Sequence, residues 1–356
     1  MKVLQIIPTF GMGGAEIMCE NLINELRKSD LEIIAISLYD KRTPITKRLE
    51  ENGVDIRYLG KRKGLDLSMV FKLKKIFSKE KPDIVHSHLN AMQYVVPAAS
   101  MSGVKKRVHT VHSLASKELE KPAKIAAKLF YKRFNVVPVA LSETIRESVV
   151  DLYKLPLDRV PVVFNGTDMS KCILKSDYSA GEIFTIVHIG RFASEKNHAM
   201  LLRSFKAFHK KYPMTKLQLI GDGEKRAEIE AYVTDNDLTD CIELLGIQSS
   251  VHGFLNGADV FTLPSVYEGI PLTLTEAMGT GLPIVATRVG GIPDMLVDEE
   301  SALLIGVDES ELVNAFERLY LDGDLRKRIG INAKLGSVAF SAKEMAKKYM
   351  DVYNRC

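Results

Sequence analysis

Two carboxylates, Glu268 and Glu276, stand eight positions apart in a run, 267–294, otherwise built largely of apolar residues, glycines and prolines. The segment ADVFTLPS before them reads as a strand ending at Pro264. Pro271 suits the first turn of a helix running through LTLTEAM to a stop near Gly279 and Gly281. Glu268 then belongs to the loop before the helix, while Glu276 lies inside it. At ~1.5 Å rise per residue, Glu276 is on the order of 8 Å along the axis from the helix start. Between the two acids lie the free amides of residues near Ile270 to Thr273, a site for an anion. An extended ligand with phosphates in its middle and hydroxyls at both ends matches that spacing, and a nucleotide-diphosphate sugar has those groups. The competing reading makes Glu268 a helix cap and Glu276 part of a solvated face. Leu272, Leu274, Ala277 and Met278 around the second acid argue against it, because carboxylates are seldom buried without a partner.

Cations suited to such a ligand stand upstream. IFTIVHIG empties into RFASEKN, placing Arg191 and Lys196 five apart in one loop. Arg with its planar fork and Lys as a point charge can clamp a diphosphate, although Glu195 between them can pair with either. A second loop, TFGMGGAE, follows the first apolar run and carries Gly11, Gly13 and Gly14 ahead of a helical pattern, again a place where backbone amides can approach phosphate. It fails the dinucleotide fingerprint. Glu16 occupies the sixth position and no acid follows at the end of the second strand, so NAD is disfavoured. His86 and His88 in VHSHL lack evident third partners for a metal and belong to the acceptor side or to the structure. No metal and no cofactor are expected.

These loops need strands to hold them. Short apolar runs alternate with helix-period segments: KVLQIIP, LEIIAISL, DIRYL, PDIVHSH, RVHTVH and NVVPVALS, then EIFTIVHIG, KLQLIGDG, IELLG, ADVFTLPS, LPIVATRVGG and ALLIG. Alternation of this kind predicts an α/β chain with two doubly wound parallel sheets, Rossmann-like domains in tandem with a cleft between them. The length of 356 residues suits two cores. Residues 1–170 form the first domain and 171–340 the second, with a polar linker from Asp168 to Gly181. A helix over 341–356, with Met345, Tyr349 and Val352 at helical spacing, packs near the boundary. Cys19, Cys172, Cys241 and Cys356 are too scattered for a disulfide framework or a zinc knuckle. No apolar run is long enough to span a bilayer, and VLQIIP is too short for a signal peptide, so a cytoplasmic location is expected.

Taken in order, the motifs resemble the retaining glycosyltransferases of family 4, in particular those that build bacterial surface polysaccharides. GMGGAE (11–16), HTVHS (109–113), ALSET (140–144), NGTD (165–168), GRFASEKN (190–197), GDGE (221–224) and PSVYEGIPLTLTEAMGTGLPIVAT (264–287) cover essentially the whole chain. The last, an E-x7-E motif, is the specific one. The resemblance implies a GT-B fold with acceptor bound by the first domain and nucleotide-sugar donor by the second. It implies that Glu276 binds the ribose, that Glu268 meets the transferred sugar, and that Arg191 and Lys196 neutralise the diphosphate in place of a metal. The backbone of Gly269, Ile270, Pro271, Leu272 and Thr273 would hold sugar hydroxyls and phosphate, Gly13 and Gly14 would approach the diphosphate, and His112 would reach the reacting sugar. The donor is a UDP-sugar by family frequency, with GDP open. Thr167 replaces a common Val and Asn197 a common Gly.

Charge is uneven. Residues 1–170 carry 28 basic against 19 acidic side chains (+9), and the remainder 21 against 26 (−5). The basic excess concentrates in 61–82 and 116–134. In the second stretch Ile125, Leu129 and Phe130 mark an apolar stripe beside Lys121, Lys124, Lys128, Lys132 and Arg133. Such a helix either lies on an anionic bilayer, giving peripheral attachment and access to a lipid-linked saccharide, or simply packs its stripe on the sheet. No nucleic-acid module is present. A nucleotide-sugar epimerase and a non-catalytic nucleotide-sugar-binding protein are the alternatives to a transferase.

Overall fold

Each of the twelve apolar runs becomes a strand in a computed structural model of the chain, which describes residues 1–355 except for the side chain of Lys121. Contacts divide the chain into two units, Met1–Thr167 with Ala342–Cys356, and Asp168–Ser341. The first holds β1 (Lys2–Ile7), β2 (Glu32–Ser37), β3 (Asp55–Tyr58), β4 (Ile84–His88), β5 (Lys106–Val111) and β6 (Val136–Ala140). The second holds β7 (Phe184–Ile189), β8 (Thr215–Ile220), β9 (Ile242–Gly246), β10 (Val260–Leu263), β11 (Ile284–Thr287) and β12 (Leu303–Ile305).

Both sheets are parallel and share one winding. Their orders are β3-β2-β1-β4-β5-β6 and β12-β11-β10-β7-β8-β9. Runs such as EIIAIS and FTIVHI are β-branched and apolar at consecutive positions because helices cover both faces of a parallel sheet. Winding reverses between β1 and β4 in the first unit and between β7 and β10 in the second. A doubly wound sheet binds ligands beyond the carboxyl ends of the strands at such a reversal.

The Ala342–Arg355 helix belongs to the first unit. Met345, Tyr349, Val352 and Tyr353 are buried in the same core cluster as Met18, Leu22 and Ile23 of the Gly14–Leu26 helix. Cys19, Cys172 and Cys241 are free thiols, and Cys356 lies outside the described residues.

The segment expected to be a linker is instead strapped to the second unit. Lys175 donates its amide to Thr280 O at 2.8 Å, Tyr178 its hydroxyl to Gly281 O at 2.8 Å, and Cys172 its thiol to Glu276 O at 3.8 Å. Small residues allow this approach: a Cβ at Gly279 would stand 2.6 Å from Cys172 Sγ, and one at Gly330 2.5 Å from the Tyr178 ring. The polar composition of 168–181 gave no sign of it.

Candidate active site

The loops after β7 and β10, neighbours across the reversal of the second sheet, carry the predicted charges. Val266 donates its amide to Glu195 O at 2.9 Å, so the two loops are joined by backbone before any side chain acts. Lys196 Nζ then lies 2.6 Å from Glu268 Oε1, which also accepts from Ser265 Oγ at 2.6 Å. Both bonds fall on Oε1, and Oε2 accepts none among the described residues. Glu268 is 8% exposed, so its charge has Lys196 and Ser265 in place of water. Arg191 does not join them. It is largely exposed and pairs with Glu195 at 2.9 Å.

Glycines set this geometry. Gly290 has φ +55, and a Cβ there would fall 1.8 Å from Glu268 O. One at Gly291, whose amide donates to that same oxygen at 3.2 Å, would fall 2.4 Å from Gly269 O. The VGG turn after β11 is thus a bed for the Glu268–Gly269 backbone. Gly221 and Gly223 of GDGE bear likewise on the β7 loop, where side chains would strike Gly190 O at 1.9 Å and Phe192 O at 2.5 Å.

Pro271 precedes the helix in extended conformation, one position earlier than predicted. Leu272–Thr280 are helical and Gly281, at φ +75, ends them. Among the described residues the amides of Leu272 and Thr273 have no backbone acceptor, leaving two donors at the helix start beside the Glu268 loop. Glu276 is half-buried on this helix, and its carboxylate accepts no hydrogen bond among the described residues. Burial pushes its pKa up to about 7, against a small opposing effect of Lys171.

In the first unit Gly14 opens the helix after β1 with nothing within 4 Å of a would-be Cβ. Gly13 is occupied differently: a Cβ there would meet Glu16 Oε2 at 2.6 Å. The missing side chain makes room for this chain's own carboxylate, whose pKa burial raises. His112 follows β5 and joins a network that the sequence reading missed. Its Nε2 is 3.2 Å from His88 Nδ1, and His88 Nε2 is 2.9 Å from Gln5 Oε1. His86 bonds Tyr353 at 2.7 Å and Thr110 at 2.7 Å. Every ring nitrogen of His86 and His88 is thereby taken up in hydrogen bonds. His109 and Glu118 approach to 3.9 Å, and burial pushes that carboxyl up to about 8.

The stripe on the Lys121–Arg133 helix splits. Phe130 and Ala127 enter the core, whereas Ile125 is 75% and Leu129 50% exposed beside Lys124, Lys128 and Lys132. The Lys121 side chain lies outside the described residues. A second exposed apolar group, Leu65, Leu67 and Phe71, sits within the other basic stretch. No helix among the described residues is long and apolar enough to cross a membrane.

Two doubly wound parallel units, the second with a charged pair and a helix start at its reversal, are the architecture of the GT-B fold. Comparison with known proteins narrows the class. The family model for glycosyltransferase family 4 matches residues 12–171 and that for glycosyl transferases group 1 matches 183–322. The chain belongs to this family and is a glycosyltransferase. It is 29% identical over 276 residues, 71% of this chain and 70% of the relative, to the UDP-Gal:alpha-D-GlcNAc-diphosphoundecaprenol alpha-1,3-galactosyltransferase of Escherichia coli. It is 24% identical over 99% of its length, and 96% of the relative's, to the putative glycosyltransferase EpsF of Bacillus subtilis. Among solved structures, Anabaena HepE in complex with UDP and glucose superposes with a TM-score of 0.86 at 17% identity, covering 100% of both chains, a likeness of fold.

Proposed function

We propose that the protein is a retaining, metal-independent glycosyltransferase that moves a hexose from a UDP-sugar to a saccharide carried on a lipid. The observation that carries the reading is the Lys196–Glu268 pair, set beside a helix start whose helix bears Glu276. Glu276 takes the ribose hydroxyls, the Leu272 and Thr273 amides take phosphate oxygens, and Glu268 stands at the anomeric carbon. The backbone of Gly269, Ile270 and Pro271 completes the hold on the sugar. As the C1–O bond to the diphosphate breaks, Lys196, with Arg191 once it leaves Glu195, offsets the charge on the leaving group. The free Oε2 of Glu268 faces the positive charge that develops on the ring. The acceptor oxygen bonds C1 and its proton passes to the departing phosphate oxygen.

The first unit is assigned the acceptor, with His112 meeting the reacting sugar and Gly13 and Gly14 the diphosphate once Glu16 withdraws. UDP is favoured because the Escherichia coli relative is named for a UDP-Gal donor and the Anabaena structure holds UDP. That relative's diphosphoundecaprenol acceptor, together with the basic apolar face around Ile125 and Leu129, supports peripheral attachment to an anionic membrane. The deciding experiment measures UDP release from UDP-hexoses with and without a polyprenyl-diphosphate saccharide, and the anomeric configuration of the product. Acceptor-dependent release with retained configuration is expected. Acceptor-independent conversion of the sugar would make the protein an epimerase, and inverted product would overturn retention.

A further inference from the structure

The hydrogen bonds under His112 have a direction. Gln5, fully buried on β1, donates Nε2 to the Tyr353 hydroxyl at 2.9 Å, so its Oε1 is the atom that faces His88 Nε2 and must accept from it. His88 is itself fully buried, which holds it neutral with its pKa well below the ordinary imidazole range. A neutral imidazole with its proton on Nε2 presents a lone pair at Nδ1. That lone pair lies 3.2 Å from His112 Nε2, which must therefore bring the proton. Tyr353, having accepted from Gln5, donates to His86 Nδ1 at 2.7 Å, and His86 passes its Nε2 proton to Thr110 Oγ1 at 2.7 Å. Donation thus runs in one sense, from His112 through His88 and Gln5 to Tyr353 of the last helix, and on through His86 to Thr110. Nδ1 of His112 has no partner among the described residues.

We infer that Gln5, His88 and Tyr353 are positioning residues that fix His112 as the neutral imidazole with its proton on Nε2, leaving Nδ1 to accept a hydrogen bond from a substrate hydroxyl. The inference rests on the proposal that His112 meets the reacting sugar. Beyond that, it makes the C-terminal helix part of the catalytic apparatus, through a bond between residues 348 positions apart. It also gives His112 a chemical sense: an acceptor toward a hydroxyl, never a cation beside the diphosphate. Burial and the neighbouring His109 agree, drawing the His112 pKa down to about 3.

The test needs no substrate. In long-range proton–nitrogen correlation spectra of protein labelled with nitrogen-15 at histidine, the His112 signals are identified by their loss in His112→Gln. The wild type is expected to show His112 with its proton on Nε2 throughout about pH 6 to 9. Tyr353→Phe frees the Gln5 amide to turn over and Gln5→Leu removes it, so both variants should show His112 as a mixture of tautomers. Their kcat should fall by about tenfold or more with little change in donor KM, as when a catalytic imidazole loses the partner that fixes its tautomer. Gln5→Glu, whose carboxylate still accepts from His88 Nε2 although it can no longer donate to Tyr353, should keep the wild-type tautomer. Should Gln5→Leu fail to fold, Tyr353→Phe carries the test alone. A wild-type His112 protonated on Nδ1, or a tautomer unmoved in Tyr353→Phe, overturns the inference. A correct tautomer with wild-type turnover in His112→Gln overturns the substrate contact and leaves the relay standing, which separates this idea from the proposed function.

Discussion

Lys196 Nζ and Glu268 Oε1 lie 2.6 Å apart, an ion pair that joins the loops after β7 and β10 at the reversal of the second sheet. Each group is assigned to a different part of the donor, so binding must draw Lys196 toward the diphosphate and leave Glu268 to the sugar. Until then each holds the other's charge in a place nearly closed to water. Lys196→Met strands a buried carboxylate and should cost about 3 kcal/mol of folding stability. Lys196→Met with Glu268→Gln should recover more than half of that, since no charge is then left unpaired. Urea unfolding of the wild type and these two variants checks it. Glu268→Gln alone should abolish transfer while UDP still binds, and an unchanged rate would remove Glu268 from the chemistry.

Gly290 is a second lever on Glu268, acting through backbone alone. At φ +55, with a Cβ only 1.8 Å from Glu268 O, alanine has no place unless the turn moves. Gly290→Ala should destabilise the fold by several kcal/mol and displace the Glu268 carboxylate. The expected signature is a lower melting temperature with kcat reduced at least tenfold in whatever folded fraction remains. Gly253, where a Cβ meets nothing within 4 Å, is the control.

The strands were legible because a parallel sheet buried on both faces demands continuous apolar runs, and VLQII, FTIVHI and IVAT supply them. Glu268 and Glu276 were legible because a strand, a proline and a helix start fix their places over a few residues. Which cation Glu268 takes was not legible. Arg191 and Lys196 stand in one short loop, and only the placement of that loop beside the β10 loop gives Lys196 to Glu268 and Arg191 to Glu195. Gln5, His88 and Tyr353 carry no local pattern at all, since 83 and 348 positions separate them from one another. Gly290 and Gly291 stood within the motif-bearing run, but their neighbour is a backbone more than twenty residues earlier. Gly13 is legible as part of a glycine-rich loop, but that Glu16 occupies the space beside it is not, since a side chain's direction has no local pattern.

Glu276 makes stability depend on pH in the direction opposite to a salt-bridged acid. Its carboxyl titrates near 4.5 when solvated and at about 7 in the fold, because burial disfavours the charge. Below about pH 4.5 both states are protonated and the group contributes nothing. Between 4.5 and 7 the unfolded chain ionises first, so stability falls as pH rises through that window and levels off above it. Glu276→Gln should lack this slope and be the more stable protein at pH 8. Donor binding should run the other way. Ribose hydroxyls donate to the ionised form, so UDP affinity should rise between about pH 6 and 8 in the wild type more than in Glu276→Gln, the comparison that removes the titration of UDP itself. Calorimetric titration of both proteins across that range checks it, and parallel curves would free Glu276 from the ribose.

Ile125 and Leu129 stand exposed on the Lys121–Arg133 helix while Phe130 and Ala127 of the same helix are buried, so the outward apolar pair is not spent on the core. With Lys124, Lys128 and Lys132 beside them, these residues match a surface that is anionic outside and apolar just beneath. Flotation should recover the protein with vesicles containing phosphatidylglycerol at low salt, less at high salt, and hardly at all with purely zwitterionic vesicles. Replacing Ile125 and Leu129 together by Ser should lower the bound fraction about tenfold, the loss of two partly inserted side chains, with no effect on melting temperature. Reversing Lys124 and Lys128 to Glu should abolish the salt-sensitive part. Binding that survives both changes would move the contact to Leu65, Leu67 and Phe71 in the other basic stretch, where the same substitution to Ser is then the test. Failure to float with any vesicle would overturn the proposed peripheral attachment through this face.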